Sequence, residues 1–262
     1  MSKIKKIPVA LTIAGSDSGG GAGIQADLKT FASLDVHGTS AITCITAQNP
    51  KGVLGIQAIA ADMVKKQLEA IFAEFQPRAV KTGMLFSEEI ICVVAEFFKK
   101  RRVSLIVDPV MIATSGAALL KPSAVQALEK KLIPLATLVT PNLDEAAVLI
   151  GQKISNVDEL CSAANEIHRR FGCATLVKGG HLRGTAHAVD CFYDGKRELL
   201  LRAKFISRIS THGTGCTYSA AIAGFLVNGH KLPKSVSLAK NFITRAIRNS
   251  VKASGHDVLR NF

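Results

Sequence analysis

The stretch Thr211-His212-Gly213-Thr214-Gly215-Cys216-Thr217 carries residue types suited to anion chemistry. Behind it runs Tyr218 to Val227, apolar and small enough for a buried helix. Two glycines therefore fall where a loop turns into a helix. Such a junction leaves backbone N–H groups without intrahelical partners, and the helix dipole adds about half a positive charge. Together they make an anion site, most often for phosphate. Cys216 falls in the first turn, where a thiol pKa drops and a thiolate becomes accessible. The same residues also suit a glycine turn before an ordinary core helix, with Cys216 a small buried hydrophobe.

The elements that must position this stretch alternate along the chain. Val9 to Ala14 is a short apolar run, a buried-strand signal. A glycine-rich loop, Gly15 to Gly23, follows it, and Ile24, Leu28 and Phe31 then keep helical spacing. The loop satisfies neither G-x-G-x-x-G nor a P-loop, but so many glycines let a ligand approach the backbone. Further strands are expected at 38–47, 78–82, 103–107, 137–140 and 174–177, with helices at 63–75, 88–98, 123–132, 143–150 and 157–171. A hairpin around Asp194-Gly195 and a final helix near 235–251 close the chain.

Such alternation predicts βαβ units, a mainly parallel sheet and helices on both faces. Ligands of open α/β sheets bind beyond the carboxyl ends of the strands. Those ends carry Gly15, Gln48, Gly83, Asp108, Asn142 and Lys178. With no linker, repeat or low-complexity tract, residues 1–262 read as one domain.

Composition narrows the class. Of 262 residues 48% are hydrophobic, enough for a substantial core. Nothing resembles a membrane span or a secretory signal, so the protein is expected to be cytoplasmic. The net charge of +13 comes from scattered basic groups in a chain without Trp. That suits solvated basic faces and an anionic substrate better than a nucleic-acid surface. The six cysteines form no C-x-x-C pair and lie mostly in apolar runs, which points to reduced, buried thiols rather than disulfides or zinc. His181 and His187 lack a third ligand at a zinc-like spacing.

Eight segments, in order, resemble the ribokinase-like superfamily, and more narrowly its hydroxymethylpyrimidine/phosphomethylpyrimidine kinases. They are Ala14 to Asp17, Gly20 to Thr30, Ala47 to Asn49, Lys81 to Leu85, Asp108 to Met111, Thr140 to Asn142, Lys178 to His181 and Thr211 to Thr217. Each is weak alone; the ordered set spans nearly the whole chain. Most ribokinase-like enzymes carry Asp where this chain has Cys216, a feature of this subgroup and of some pyridoxal kinases. The tail Gly255-His256-Asp257 lacks the family's Gly-x-Gly-Pro continuation.

The resemblance implies a three-layer αβα sandwich and two ATP-dependent phosphorylations. The first acts on the alcohol of 4-amino-5-hydroxymethyl-2-methylpyrimidine, the second on its monophosphate. It implies Mg²⁺, leaves room for a monovalent cation, and suggests a homodimer without nucleic-acid or membrane partners. Gly213, Thr214 and Gly215 would hold the moving phosphoryl group, with Cys216 as general base. Lys178, Asn142 and Thr211 would meet ATP. Asp108 and Glu145 would serve Mg²⁺, although Asn142-x-x-Glu145 also reads as a helix capping box. Gln48 would read the aminopyrimidine edge, Asp27 and Gly15 would approach the hydroxymethyl side, and Met84 and Val110 would wall the ring. A pyridoxal kinase of the same fold and a non-enzymatic nucleotide-binding regulator are the competing readings.

Overall fold

A computed structural model describes residues 6–111, 119–180, 182, 186–206 and 212–261. Thr211 and His181 lie outside these residues. Among them, nine strands form one sheet in the order β3-β2-β1-β4-β5-β6-β7-β8-β9. The strands are β1 (Val9–Asp17), β2 (His37–Asn49), β3 (Gly52–Ala58), β4 (Ala79–Thr82), β5 (Ser104–Val107), β6 (Leu138–Val139), β7 (Ala174–Gly179), β8 (His187–Tyr193) and β9 (Glu198–Lys204). The six from β2 to β7 in sheet order run parallel. Antiparallel β3 closes one edge, and the antiparallel β8–β9 hairpin the other.

Alternating side chains feed two cores, as the period of a strand requires. Leu11, Val80, Leu105, Val139 and Val177 face α2 (Ala61–Glu74), α3 (Glu88–Phe98), α4 (Pro122–Ala127), α5 (Leu143–Ile150) and α6 (Val157–Phe171). Ala10, Ala79, Ile106, Leu138 and Leu176 face α1 (Gly23–Ser33), α7 (Thr214–Val227) and α8 (Leu232–Arg248). The result is the three-layer αβα sandwich that the alternation predicts.

Three local readings change. β1 runs through Gly15 to Asp17, so the loop is shorter than the glycines suggest. The helix expected to reach Leu132 is α only to Ala127, then widens into a π turn at Leu128–Leu132 and tightens into a 3₁₀ turn at Ile133–Leu135. Pro134 removes a backbone donor there. Finally, β3 and a small C-terminal hairpin, β10 (Val251–Ala253) and β11 (His256–Val258), were not expected from the sequence.

Candidate active site

Helix α7 begins where two glycine segments touch. Gly213 caps it with φ +79°, and a Cβ there would lie 1.8 Å from the Gly21 carbonyl oxygen. Only glycine tolerates both demands. Gly23, at φ +56°, meets the Gly15 carbonyl in the same way. The first loop is thus pressed against the amino end of α7, whose early N–H groups lack helical partners.

Asp17 organises that loop. Its Oδ1 accepts the Gly19 N–H at 2.8 Å, and its Oδ2 accepts those of Gly21 and Ala22 at 3.1 and 2.8 Å. His212 Nε2 stands 3.3 Å from Oδ2. Burial would raise the Asp17 carboxyl, but His212 and the Ala22 and Gly19 amides bring it down to about 2.

Cys216 is half-buried in the first turn of α7. Its pKa does not fall as the helix terminus suggests. Burial pushes the thiol up, and Asp27 and Asp108 add to the rise against Lys81 and the Gly23 N–H. The helix dipole is real but weak beside desolvation.

Beneath the thiol lies a fully buried ion pair, Lys81 Nζ to Asp27 Oδ2 at 2.9 Å. Thr12 Oγ1 donates to the same oxygen at 2.5 Å, and Asp27 Oδ1 has no partner. Burial works against the Lys81 ammonium, yet Asp27, Cys216 and Asp108 outweigh it and raise its pKa. Sequence reading quoted Lys81 but gave it no role. A lysine inside a strand that is otherwise Ala79-Val80-Thr82 was the available signal.

A second charged cluster sits across the α7 terminus. Lys178 Nζ contacts Asp108 Oδ1 at 2.8 Å, and Thr140 Oγ1 donates to that oxygen at 3.1 Å. A Cβ on Gly215 would lie 3.3 Å from Lys178 Nζ, so the ammonium lies over the glycine turn. Burial would raise Asp108, but Lys178 and Lys81 hold it below the ordinary carboxylate value. Glu145 is buried and closes a full capping box with Asn142. Burial pushes it up to about 8; Lys178 opposes the rise and Asp108 adds to it.

The remaining residues also gather at this rim. Gly15 is buried, and a Cβ there would lie 2.8 Å from Cys44 Sγ and 3.1 Å from Met84 Cε. Met84 and Val110 are half-buried. Gln48 is held by Ser18 and Thr46, with its side-chain nitrogen 3.5 Å from His212 Nε2. A cavity of about 280 Å³ adjoins the outer side of the first loop, between Lys29, His212 and the β10–β11 hairpin. Its lining includes neither Lys178, Asp108 nor Cys216.

Cationic groups and the first backbone amides of α7 facing a pair of carboxylates, on the rim of an αβα sandwich, define a ribokinase-like phosphotransferase. The chain belongs to the phosphomethylpyrimidine kinase family, whose model matches residues 17–259. It is 50% identical over 240 residues to the hydroxymethylpyrimidine/phosphomethylpyrimidine kinase of Rhizobium meliloti (strain 1021), covering 91% of this chain and 90% of that protein. A crystal structure of phosphomethylpyrimidine kinase from Clostridium difficile 630 matches with TM-score 0.82 and 46% identity, over 92% of this chain and 100% of that one. Bacillus subtilis pyridoxal kinase, solved as an ADP complex, matches with TM-score 0.91 and 38% identity, over 98% of both chains.

Proposed function

We propose that this chain phosphorylates hydroxymethylpyrimidine at its alcohol and then phosphorylates the monophosphate, using ATP in both steps, for thiamine biosynthesis. The observation that carries the reading is Cys216 standing within electrostatic reach of both charged clusters, the Lys81–Asp27 pair and the Lys178–Asp108 pair. The pyridoxal-kinase reading keeps the same chemistry, and a pyridoxal kinase is the neighbour at TM-score 0.91. Sequence favours the pyrimidine: 50% and 46% identity to the pyrimidine kinases against 38% to the pyridoxal kinase.

Phosphoryl transfer asks mostly for positioning and charge stabilisation. In this reading the N–H groups of Gly213 to Cys216 hold the transferring group. Lys178 meets the ATP phosphates, helped by Asn142 and Thr211. The substrate hydroxyl gives its proton to Cys216, with Lys81 beneath stabilising the thiolate. Gln48 offers a donor and an acceptor to the aminopyrimidine edge. Gly15, Met84 and Val110 enclose the ring, while Asp27 acts from below through Lys81.

Asp108 and Glu145 fit a divalent ion. Two buried carboxylates share one lysine there, and burial, with Asp108 beside it, raises the Glu145 carboxyl despite that lysine. Mg²⁺ at these oxygens, direct or through water, would offset charge between the nucleotide phosphates.

The homodimer belongs to the same reading. Edge strand β3 carries no charged residue, and Val53, Leu54 and Ile56 are exposed, Leu54 at 81%. Such an edge invites strand pairing, and a two-fold axis lets one copy pair with another through the same patch. Among the described residues no helix is long and apolar enough to cross a membrane; a cytoplasmic location is part of the proposal.

The test is ADP release with hydroxymethylpyrimidine and with pyridoxal, and mass spectrometry to count phosphates added. Two phosphates on the pyrimidine at the higher kcat/KM support the reading. A higher kcat/KM for pyridoxal transfers the protein to the alternative, and ATP binding without turnover removes both.

A further inference from the structure

Away from the phosphate site, α6 packs over the β8–β9 hairpin and brings three metal-type ligands together. Cys191 is fully buried in β8, Cys161 is half-buried on α6, and Glu198 opens β9. Across the hairpin Tyr193 faces Glu198 and Cys191 faces Leu200, which makes Glu198 the diagonal neighbour of Cys191 on one face. The two sulfurs and a Glu198 carboxylate oxygen all lie within 4.8 Å of one another. Burial raises the Cys161 thiol pKa, and Cys191 and Glu198 both lie close enough to act on it. Asn165, one turn along α6, donates to Glu198 Oε2 at 3.1 Å and to the Cys161 carbonyl at 2.9 Å. The carboxylate is therefore aimed at the thiols by a side chain outside the trio.

We propose that Cys161, Cys191 and Glu198 bind a divalent ion of the zinc class. Zinc takes thiolate at about 2.3 Å and carboxylate at about 2.0–2.2 Å in a tetrahedron, which sets ligand atoms roughly 3.5–3.8 Å apart. The trio needs a closure of only about an ångström from its 4.8 Å limit. Three protein ligands leave the fourth position to water. Both thiols release their protons to solvent as the ion binds. Thiolates select against Mg²⁺, so this site does not compete for the ion proposed at Asp108 and Glu145.

The ion would clamp α6 to the edge of the sheet. Next to Cys191, Asp190 accepts the Gly179 N–H at 3.0 Å and Lys240 Nζ at 2.6 Å, and it stands opposite Lys178 in the β7–β8 pair. The clamp therefore bears on the strand pair that carries Lys178.

The test uses the full chain, metal-free and reduced with a phosphine, titrated with Co²⁺. One equivalent should give thiolate-to-cobalt charge-transfer absorption that Zn²⁺ displaces. Cys161→Ser should abolish the band, Asn165→Ala should weaken binding about ten- to a hundredfold, and Cys216→Ser should leave it unchanged. Zn²⁺ should raise the Tm of the wild type and not of Cys161→Ser, whose circular dichroism without metal should match the wild type. The proposal is overturned if no band appears, or if it survives Cys161→Ser or disappears with Cys216→Ser. It is equally overturned if air joins Cys161 to Cys191 while the reduced protein ignores cobalt.

Discussion

His212 Nε2 lies 3.3 Å from Asp17 Oδ2 and 3.5 Å from the side-chain nitrogen of Gln48. One ring nitrogen cannot donate to the first and accept from the second. Thr46 raises the matching difficulty, since its single hydroxyl hydrogen would serve both Ser16 O at 3.0 Å and Gln48 Oε1 at 3.2 Å. Amide oxygen and nitrogen are told apart by their partners. Turning the Gln48 amide over resolves the Thr46 conflict, because the Gln48 nitrogen then donates to the Thr46 hydroxyl. The one Nε2–H of His212 is then shared between Asp17 and the Gln48 oxygen as a bifurcated bond. His212 so decides which way Gln48 presents its donor and acceptor.

His212→Ala should therefore raise KM for the pyrimidine and leave KM for ATP nearly unchanged. The loss of a hydrogen bond that orients a polar partner is worth about 1–2 kcal/mol, or roughly five- to thirtyfold in affinity. Steady-state kinetics varying each substrate checks this. Equal rises in both KM values would mean that His212 only supports the glycine loop.

The buried pair Lys81 and Asp27 should behave as a unit. Lys81→Met leaves a carboxylate without compensation in the core, a loss of roughly 3–5 kcal/mol. Adding Asp27→Leu should recover most of that stability, because a well-packed apolar pair can replace a buried ion pair at little cost. Urea unfolding of the single and double variants measures the coupling. The double variant should fold yet keep little activity, since Cys216 then loses the cation beneath it.

Glu145 gives a pH dependence of unusual sign. Its pKa is pushed up to about 8 in the fold, from 4.5 for a free side chain. Between these values the folded state holds a proton that the unfolded state has lost, so stability falls as pH rises. The effect is absent below about 4.5 and complete above about 8. Glu145→Gln should flatten the decline of Tm across that window. A Tm profile with the wild-type slope would place the titrating group elsewhere.

Much of this was legible in the sequence because it is local. Residues 88–98, 143–150 and 157–171 keep helical spacing between caps, and their helices start and stop as expected. Strand β3 was missed because Gly55 interrupts a short run with neither face buried. The role of Asp17 was not legible, since His212 lies 195 residues away. The thiol pKa went the wrong way for a related reason. A helix terminus can be read from Gly213-Thr214-Gly215, whereas the burial and the two carboxylates acting on Cys216 come from distant segments.

Gly213→Ala tests the junction itself. A left-handed φ costs a residue with a Cβ about 1–2 kcal/mol, and here the methyl would also meet the Gly21 oxygen at 1.8 Å. The first loop must withdraw from α7. The variant should fold, with a lower Tm and a kcat reduced by more than about a hundredfold, the scale of losing an oxyanion-type donor. Wild-type kcat would show that the α7 amides do not hold the phosphoryl group.

The last prediction separates the two phosphorylations. In the first, a neutral alcohol must lose its proton, and Cys216 is the group placed to take it. Burial raises the thiol pKa even with Lys81 beside it, so the thiol must first lose its own proton to solvent, and the thiolate facing Lys81 then takes the proton of the alcohol. In the second, the attacking atom is a phosphate oxygen that already carries negative charge and needs no base. Cys216→Ala should therefore slow the first step by about 10²–10⁴-fold, the usual contribution of a positioned base, and slow the second far less. Lys178→Ala should damage the second step at least as much as the first, because more negative charge is gathered beside Gly215. Separate assays of each variant with the alcohol and with the monophosphate decide the matter. Equal slowing of both steps by Cys216→Ala would mean that the thiol shapes the anion site and takes no proton, leaving the first step without the base assigned to it.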